Sequence, residues 1–289
     1  MSPKFIQATR VTFPNGSIRG TGNVLAVEQF GELWAVILDE TPAHPVDFAW
    51  PDQPADSVEL TWPGGSTIST DVIVAATDGN ELHLGTEIPV RKGTEGWNFC
   101  VAHILAGPHP EVGQRVSLEV NAQLRSALSI GHSACHLASL ALNQAMNDRW
   151  TKPISNDALG SANFDSVANS KSRILPRGSV DDYRLGKSLR KQGFSTEDLE
   201  ADLRNIESNL NQSLSDWIQQ DSEVRIETEG ELLTDRRYWV CDLPESSVRI
   251  ACGGTHVSRL GELAGATATL AVSEIEGAKL LQMKTEVPI

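Results

Sequence analysis

Residues 131–143 read GHSACHLASLALN and place His132 and His136 four residues apart in a segment rich in Leu and Ala. Residues 120–147 contain no Pro and a single Gly, a composition that predicts one long helix. Side chains four residues apart lie on the same face of a helix, so both imidazoles continue an apolar stripe of leucines. The stretch therefore predicts a helix that turns two histidines inward, where they can reach the same metal ion.

A second segment, residues 250–257 (IACGGTHV), carries Cys252 and His256 on either side of a Gly-Gly step. Glycine adopts positive φ without strain, so Gly253 and Gly254 predict a tight turn that brings the thiolate and the imidazole to one point. This donor pair suits zinc. The alternative is a glycine turn in which a buried Cys lies beside a hydrogen-bonded His. The two segments together predict one zinc site whose ligands are His132, His136, Cys252 and His256.

These segments resemble the two metal-binding motifs of the alanyl-tRNA synthetase editing domain. Residues 131–137 (GHSACHL) are similar to its HTATHLL motif, and residues 252–257 (CGGTHV) have the same letters as its second motif. The domain also occurs as free-standing AlaX-type trans-editing proteins, and a related domain belongs to threonyl-tRNA synthetase. Further similar stretches follow the family's order, and they are residues 38–42 (LDETP), 113–120 (GQRVSLEV) and 206–211 (IESNLN).

The resemblance implies an α+β protein with two domains. The first, residues 1–115, is expected to be a small antiparallel β-barrel, and the second, residues 116–289, an α/β-sandwich editing domain with an antiparallel sheet and helices. The resemblance also implies a zinc-dependent enzyme that hydrolyses mischarged aminoacyl-tRNA in trans, with Ser- or Gly-tRNA(Ala) as its substrate. Charged tRNA is therefore the expected partner. ATP is not, since a synthetase core does not fit within 289 residues.

The chain departs from the family next to its motifs. Family members carry a glycine-rich stretch after L-D-x-T-P that is associated with amino-acid discrimination, whereas residues 43–53 (AHPVDFAWPDQ) contain no Gly. Ser133 and Cys135 replace the two threonines of the first motif. The four ligands are retained while their neighbours differ, which affects the expected amino-acid specificity more than the expected chemistry.

Periodicity gives a coarse division that agrees with two domains. Short β-rich runs separated by Gly, Asn and Pro turns predict antiparallel strands at residues 24–27, 33–38, 58–62, 67–75 and 82–88. A polar, loop-like stretch is expected from residue 150 to residue 177. A second helix is expected to begin at Ser195, an N-cap residue, because apolar residues then recur at spacings of three and four up to Trp217. The tail beyond Lys284 is expected to be frayed.

Composition limits the classes of protein to consider. The net charge is -14, and the chain lacks both a signal-peptide pattern and an apolar run long enough to cross a membrane. Its four cysteines suggest thiols and a metal ligand rather than a disulfide framework. We therefore expect a cytoplasmic protein with no membrane partner.

An acidic protein is unusual as a tRNA-binding protein, because proteins that bind phosphates generally display a basic surface. One stretch runs against the overall charge. Between residues 171 and 191 only Asp181 and Asp182 oppose a set of seven cations, which are Lys171, Arg173, Arg177, Arg184, Lys187, Arg190 and Lys191. This stretch is either a surface that contacts an acceptor stem or a solvated connector.

The ligand set suggests how an activated ester would be hydrolysed. Zinc polarises a carbonyl and lowers the pKa of a bound water to about 7. Four protein ligands fill a tetrahedron, however, so catalysis requires an expanded or displaceable coordination, or a nearby group that orients the water. Ser133, Thr255 and the backbone N–H groups of Gly253 and Gly254 are the candidate catalytic donors to substrate or oxyanion. Each can equally serve as a turn or cap residue.

Two other functions fit the same residues. One is a zinc hydrolase that acts on a small ester or amide rather than on tRNA, an alternative motivated by the acidic charge and the altered loop. The other is a non-catalytic, zinc-stabilised binding module. Metal content and turnover distinguish them, because the loss of a ligand unfolds such a module but inactivates an enzyme.

Overall fold

The computed structural model describes residues 7–289 of the chain, which form an α+β structure with mostly antiparallel sheets. Its helices are α1 Ala122–Ala145, α2 Phe164–Ala168, α3 Lys187–Lys191 and α4 Leu199–Gln219. The strands of the N-terminal half are β1 Arg10–Val11, β2 Arg19–Phe30, β3 Leu33–Leu38, β4 Glu40–Thr41, β5 Val58–Trp62, β6 Gly65–Ile68, β7 Asp71–Thr77, β8 Leu82–Leu84, β9 Asn98–Leu105 and β10 Arg115–Val120. The remaining strands are β11 Asn169–Leu175, β12 Gly178–Leu185, β13 Val224–Thr228, β14 Arg237–Asp242, β15 Ser247–Ala251, β16 Thr267–Ile275 and β17 Ala278–Glu286.

The described residues divide into two compact units. Unit 1 comprises residues 7–125, 226–238 and 252–255, and unit 2 comprises residues 126–225, 239–251 and 256–289. Neither unit is a single continuous segment, because the chain returns to the first unit twice after entering the second. No helix in the described part of the chain has both the length and the apolar character that crossing a membrane requires.

Unit 1 is built on an eight-stranded sheet in the order β6-β5-β10-β2-β3-β9-β7-β8. The long strand β2 joins its two halves: residues 19–23 pair with β10, and residues from Val24 onwards pair with β3 after an irregularity in register. Alternate side chains point into an apolar core that includes Leu38, Leu60 and Phe99. The antiparallel arrangement follows the short, alternating pattern of the sequence.

This sheet remains open in the described residues, in contrast to the small barrel that the sequence predicts. Its hydrogen-bonded order ends at β6 and β8, which have four and three residues and so offer few backbone groups for a closing ladder. The strand predicted at residues 67–75 is also two strands. Ser69 donates its N–H to Val58 of β5, whereas Thr70 donates to Ile104 of β9, so the chain changes partner strands there.

Unit 2 contains an antiparallel sheet in the order β11-β12-β17-β16. Helix α4 binds the backbone of β16, the edge strand: Asn211 exchanges two hydrogen bonds of 2.8 Å with Ala268, and Glu207 accepts the N–H of Leu270 at 2.7 Å. These contacts occupy backbone groups that an edge strand otherwise leaves unpaired. They also give a structural role to the polar residues of the segment 206–211.

The helix that carries the first histidine pair runs close to the β11–β12 hairpin. A Cβ atom on Gly131 would lie 2.3 Å from the carbonyl oxygen of Leu175 and 2.5 Å from that of Gly178. Real Cβ atoms do not approach backbone oxygens so closely. Gly131 therefore permits a helix-to-hairpin approach that any larger residue would prevent.

Three sequence-based expectations about local structure are wrong. The stretch 150–177 is not a continuous loop, because Asn163 caps α2 by accepting the N–H of Ser166, and β11 pairs with β12. Helix α4 begins after Asp198, and Ser195 instead accepts the N–H of Glu197 within the preceding turn. The C-terminal tail is ordered, since β17 continues to residue 286 and Val287 donates its N–H to Arg177.

Candidate metal centre

Helix α1 presents His132 and His136 on one face, as the spacing predicts. Their rings stack with centroids 5.0 Å apart and planes 16° apart. Residues on the same face, Leu128 and Leu140, are buried, so the two imidazoles continue the apolar side of the helix. Only 3% of the surface of His132 is exposed.

His256 completes a triangle of three imidazoles. Its ring centroid lies 4.4 Å from that of His132 and 5.1 Å from that of His136. Three imidazoles this close repel one another when protonated, and burial lowers the pKa of His136 to about 4. Neutral imidazole is the form that binds a metal ion.

Ser133 sets the orientation of the His256 ring. The Ser133 hydroxyl lies 3.1 Å from Nδ1 of His256 and accepts the backbone N–H of Val257 at 3.1 Å. With Nδ1 occupied in this way, Nε2 is the nitrogen that we assign as the metal donor of His256. Ser133 is fully buried, and its position is that of a residue that supports a ligand.

Trp239, on β14, forms one wall of the cluster. Its ring stacks on His136 with a centroid distance of 5.3 Å and an interplanar angle of 24°. Nε2 of His136 is buried and has no hydrogen-bond partner among residues 7–289. A buried ring nitrogen without a partner is energetically unfavourable, and coordination of a metal ion would satisfy it.

Cys252 follows directly after β15 and donates its own backbone N–H to Arg237 at 3.0 Å. Its thiol accepts the backbone N–H of Gly254 at 3.5 Å. Burial raises the pKa of this thiol to about 12, helped by the negative charge of Asp52. A thiol becomes a ligand only as the thiolate, so metal binding here would release a proton.

The four ligands predicted from the sequence come together. One donor atom from each of His132, His136, Cys252 and His256 lies within 4.8 Å of all the others. In tetrahedral zinc sites the bond lengths of 2.0–2.3 Å separate neighbouring donors by about 3.4–3.8 Å. Small side-chain rotations would therefore bring these atoms to coordination distance. The cluster can hold a metal ion, and its mixture of imidazole and thiolate donors fits zinc among the borderline-soft ions.

The glycine step of the second motif has a different role from the one expected. Gly253 does not adopt positive φ, and a Cβ atom placed on it would meet nothing within 4 Å. Open space beside Cys252, rather than a left-handed turn, is thus the property that glycine provides at this position. The N–H of Gly254, a candidate oxyanion donor, is directed at the Cys252 thiol.

Thr255, another candidate catalytic residue, is tied to Gln53. The Gln53 amide donates from Nε2 to the Thr255 hydroxyl at 2.9 Å and accepts the Thr255 N–H at 3.0 Å. Both side chains are buried, with 1% and 5% of their surface exposed. The pair fixes the segment between Cys252 and His256.

Residues 43–53, where the chain departs from the family pattern, hold several polar contacts in unit 1. His44 donates its N–H to Asp56 at 2.5 Å, and burial lowers its pKa to about 4. Asp47 accepts the N–H of Ala49 at 2.8 Å and pairs with Lys92 at 3.2 Å. The loop is therefore ordered by side-chain contacts instead of by glycine turns.

Sequence reasoning missed Gln53 and Trp239 as neighbours of the candidate site. Gln53 lies 202 positions from Thr255 along the chain, and no periodic pattern links such a pair. A signal was present in the loop, where Gln53 is a polar residue next to Pro54 in a segment that ought to carry the specificity of the family. Trp239 had no signal apart from its size, which predicts only that it is buried.

The cationic stretch 171–191 is partly structural. The Arg177 guanidinium donates to the carbonyls of Val287 and Pro288, and Arg173 pairs with Asp182 at 3.5 Å. The exposed cations that remain on α3 are Lys187, Arg190 and Lys191. Three of the seven cations of the stretch are therefore grouped on this short helix.

No known protein-family model matches the chain. The resemblance to the editing-domain family consequently depends on the motifs and on the placement of their residues.

Proposed function

We propose that the protein is a zinc-dependent hydrolase that deacylates mischarged aminoacyl-tRNA in trans, with Ser- or Gly-tRNA(Ala) as its substrate. The observation that carries the proposal is the cluster formed by His132, His136, Cys252 and His256, whose donor atoms lie within 4.8 Å of one another. These are the four residues of the two motifs that resemble the editing domain. The unpartnered Nε2 of His136 adds support for an ion at this position.

The finer fold assignment belongs to the same proposal. An α/β-sandwich editing domain in the second half is what the family resemblance implies, and an α+β structure with antiparallel sheets is compatible with it, whereas the open sheet of unit 1 departs from the implied closed barrel. The polar residues Glu207 and Asn211, which lie in a segment similar to the family, bind an edge strand of unit 2. This structural role accounts for a Glu and an Asn at these positions between the two metal motifs.

The chemistry follows from what the side chains can hold. When bound, zinc supplies Lewis-acid polarisation of the ester carbonyl. The Ser133 hydroxyl keeps the His256 ring oriented. Gln53 fixes Thr255, the residue that directly precedes His256 in the chain. Gly253 leaves space next to Cys252 for an acyl group, and its backbone N–H is the donor that we assign to the developing oxyanion.

The overall charge of -14 sets a condition on the tRNA partner. Phosphate contacts must come from a local group of cations, and the exposed Lys187, Arg190 and Lys191 of α3 provide one. Binding through so few contacts is weak and depends moderately on salt. A trans-acting hydrolase tolerates this, because it must release each tRNA after a single hydrolysis.

A different function is favoured by one observation, the number of ligands. Four protein donors complete a tetrahedron, which is typical of structural zinc sites. Under this second candidate the protein is a non-catalytic, zinc-stabilised binding module. A related enzyme function, hydrolysis of small esters or amides at the same site, is favoured by the acidic charge.

The test is deacylation by zinc-loaded protein of a panel of charged tRNAs, centred on Ser-tRNA(Ala) and Ala-tRNA(Ala). We expect loss of the Ser ester while the Ala ester survives. Cys252→Ser and His136→Gln should abolish this loss with the fold retained, as judged by circular dichroism and thermal melting. His83→Ala is the matched control, because His83 is a histidine of unit 1 whose ring lies 3.9 Å from the exposed Glu81.

Survival of every aminoacyl ester in the presence of one bound zinc per chain contradicts the proposal. A panel of small esters and amides then separates the remaining enzyme function from the binding module. Under the module function the ligand variants lose their fold together with the metal, and the metal-loaded protein turns over no ester.

A further inference from the structure

One side of helix α1 contacts the β11–β12 hairpin and helix α2 through small and polar residues. Gly131, Cys135 and Ser139 recur every four residues, so they share one face of the helix. Gly131 lies against backbone oxygens of the hairpin, and the Cys135 thiol lies 3.5 Å from Oδ1 of Asp181. Ser139 donates its hydroxyl to Asp165 of α2 at 3.2 Å. This face therefore attaches α1 to its neighbours in unit 2.

The metal-binding histidines lie on the adjacent face of the same helix. His132 and His136 each follow a residue of the attached face by one position, and one residue turns an α-helix by about 100°. Rotation of α1 about its own axis would swing both imidazoles in the same direction. A side-chain atom about 6 Å from the axis moves by about 1 Å when the helix turns by about 10°. Since functional groups must be held within about 0.5 Å of their working geometry, the contacts of the attached face decide whether the two rings point at one ion.

Asp181 connects the hairpin to this helix. Its Oδ1 accepts the hydroxyl of Ser172 at 2.5 Å, and its Oδ2 accepts that of Ser179 at 2.7 Å. Both serines belong to the hairpin, Ser172 to β11 and Ser179 to β12. The Cys135 thiol, from α1, lies 3.5 Å from Oδ1 and 3.6 Å from Oδ2. The two serines thus fix the carboxylate on the hairpin, and the carboxylate accepts the thiol of the helix.

This connection is retained at a cost in stability. Asp181 is fully buried, and no cation forms an ion pair with it within residues 7–289. A carboxylate without a cationic partner is unfavourable to bury, and burial raises the pKa of Asp181 to about 6. Natural proteins keep such unfavourable groups chiefly where function requires them. The contact of Asp181 with the helix that carries two metal ligands supplies such a requirement.

We propose that Cys135 and Asp181 are positioning residues of the metal centre, whose hydrogen bond sets the rotation of α1 at which the two helix histidines reach one ion. Cys135 supplies no donor atom to the metal in this arrangement, because its thiol is on the hairpin side of the helix. Asp181 acts at one further remove, through Cys135. The inference rests on the zinc site of the proposed function and is independent of the substrate.

Zinc affinity and metal geometry test the proposal without turnover. Affinity is measured by competition with a chromophoric chelator at about pH 8, where Asp181 is ionised, and cobalt(II) absorption reports the coordination geometry. Cys135→Ala should weaken zinc binding by about 10- to 100-fold, the usual effect of losing the support of a ligand, and should alter the cobalt(II) bands. Cys135→Ser keeps a hydrogen-bond donor and should bind zinc within about threefold of wild type.

A double variant shows whether the two residues act through one contact. The Asn amide oxygen accepts a weaker hydrogen bond than a carboxylate, so Asp181→Asn should weaken zinc binding by about three- to tenfold. In the Cys135→Ala background the contact is already absent, and adding Asp181→Asn should change the affinity by less than about twofold. Asp181→Asn also carries the test if Cys135→Ala does not fold.

Cys100→Ala is the matched control. Cys100 is a buried cysteine of unit 1 whose thiol donates to the carbonyl of Gln7 at 3.3 Å. Its replacement should lower the free energy of unfolding about as much as Cys135→Ala does, because both remove a buried, hydrogen-bonded thiol. Zinc affinity and the cobalt(II) bands of this control should remain those of wild type. Lower stability alone would then not account for the weaker binding in Cys135→Ala.

Three contrary outcomes overturn the inference and spare the proposed function. The first is unchanged zinc affinity in both Cys135→Ala and Asp181→Asn. The second is a loss in Cys135→Ala that Cys135→Ser does not recover, which would assign the effect to packing volume and not to the hydrogen bond. The third is additive weakening in the double variant, which would show two separate effects. If wild type binds neither zinc nor cobalt(II), the metal site and the proposed function fail together, and this failure is seen without any variant.

Discussion

Gln53 and Thr255, 202 positions apart in the chain, form a two-way hydrogen-bonded pair: the Gln53 amide donates to the Thr255 hydroxyl at 2.9 Å and accepts its backbone N–H at 3.0 Å. The pair joins the loop that departs from the family pattern to the segment that matches it. Thr255 lies between two candidate metal ligands, Cys252 and His256. The loop of residues 43–53 is therefore hydrogen-bonded directly to the segment that contains Cys252 and His256.

Replacement of Gln53 by Ala should destabilise the protein by about 1–3 kcal/mol, because it leaves the buried N–H of Thr255 without an acceptor. Zinc affinity should also fall by about 10- to 100-fold, as is typical when the support of a ligand is removed. Urea denaturation and competition with a chromophoric chelator measure the two effects. Gln29→Ala, an exposed glutamine of unit 1, is the control. Unchanged zinc affinity in Gln53→Ala would show that the pair does not support the ligands.

Arg125 and Asp56 form a buried ion pair, with Nε donating to Oδ1 at 2.8 Å, and their side chains are 7% and 1% exposed. Arg125→Met should cost about 3–5 kcal/mol, because Asp56 is then a buried charge without its partner. Adding Asp56→Asn to Arg125→Met should restore part of that loss. Double-mutant analysis of urea unfolding measures the coupling.

The control for this pair is Arg173→Met, since Arg173 pairs with Asp182 at 3.5 Å with 42% of its side chain exposed. A surface pair of this kind contributes about 0–1 kcal/mol. A similar cost for both arginine variants would contradict a special role for the buried pair.

Asp181 makes the stability depend on pH. It is fully buried beside Cys135, accepts the hydroxyls of Ser172 and Ser179 at 2.5 and 2.7 Å, and burial raises its pKa from 3.8 to about 6. Between these two pH values the folded state binds a proton that the unfolded state does not. The contribution of Asp181 is therefore fully present below pH 4 and is lost as the pH rises through 6, with a total of about 3 kcal/mol.

Asp181→Asn removes this titration. The stability of the variant relative to wild type should improve by up to about 3 kcal/mol between pH 4 and pH 7, measured by urea unfolding at each pH. Asp148→Asn, on the surface of the same unit, should show no such trend. A difference between wild type and Asp181→Asn that is constant with pH would mean that Asp181 titrates at an ordinary value.

Gly131 is a helix residue at which Ala should be harmful. In an exposed helix Gly→Ala gains up to about 1 kcal/mol, but a Cβ atom here would lie 2.3 Å from the carbonyl oxygen of Leu175. We expect Gly131→Ala to destabilise by about 1–3 kcal/mol through overpacking. Because His132 follows directly, zinc affinity should also decrease.

Ser126→Ala in the same helix is the matched control, because Ser126 is exposed and gains a few tenths of a kcal/mol from helix propensity. Thermal and urea unfolding of both variants give the comparison. Stabilisation by Gly131→Ala would show that the helix can move away from the hairpin at little cost.

The sequence predicted the features that depend on local spacing. The four-residue interval between His132 and His136 implies one helix face, and the rings do stack 5.0 Å apart. The interval between Cys252 and His256 implied convergence on a point, and the donor atoms are within 4.8 Å. In both cases the residues that act together are close in the chain, so their spacing in the sequence is enough to predict that they are close in space.

Features that depend on distant partners were not predictable in this way. Whether the sheet of unit 1 closes into a barrel depends on whether its two edge strands pair with each other. These strands, β6 and β8, are too short for the sequence to predict their pairing. The strand at residues 169–175 has a polar composition that indicates a loop, and it becomes a strand only because β12 lies next to it. The motif makes Ser133 a candidate catalytic donor, but its contacts with His256 and Val257 depend on a segment more than 120 positions away and have no local signal.

The hydroxyl of Ser133 holds the His256 ring and the Val257 N–H to helix α1 through the protein's own atoms. The protein's own contacts therefore hold the His256 ring beside the helix that carries His132 and His136. A ring that is already fixed has less conformational entropy to lose when it coordinates an ion. The Ser133 hydroxyl should thus raise metal affinity by lowering the entropic cost of binding rather than by supplying a donor atom.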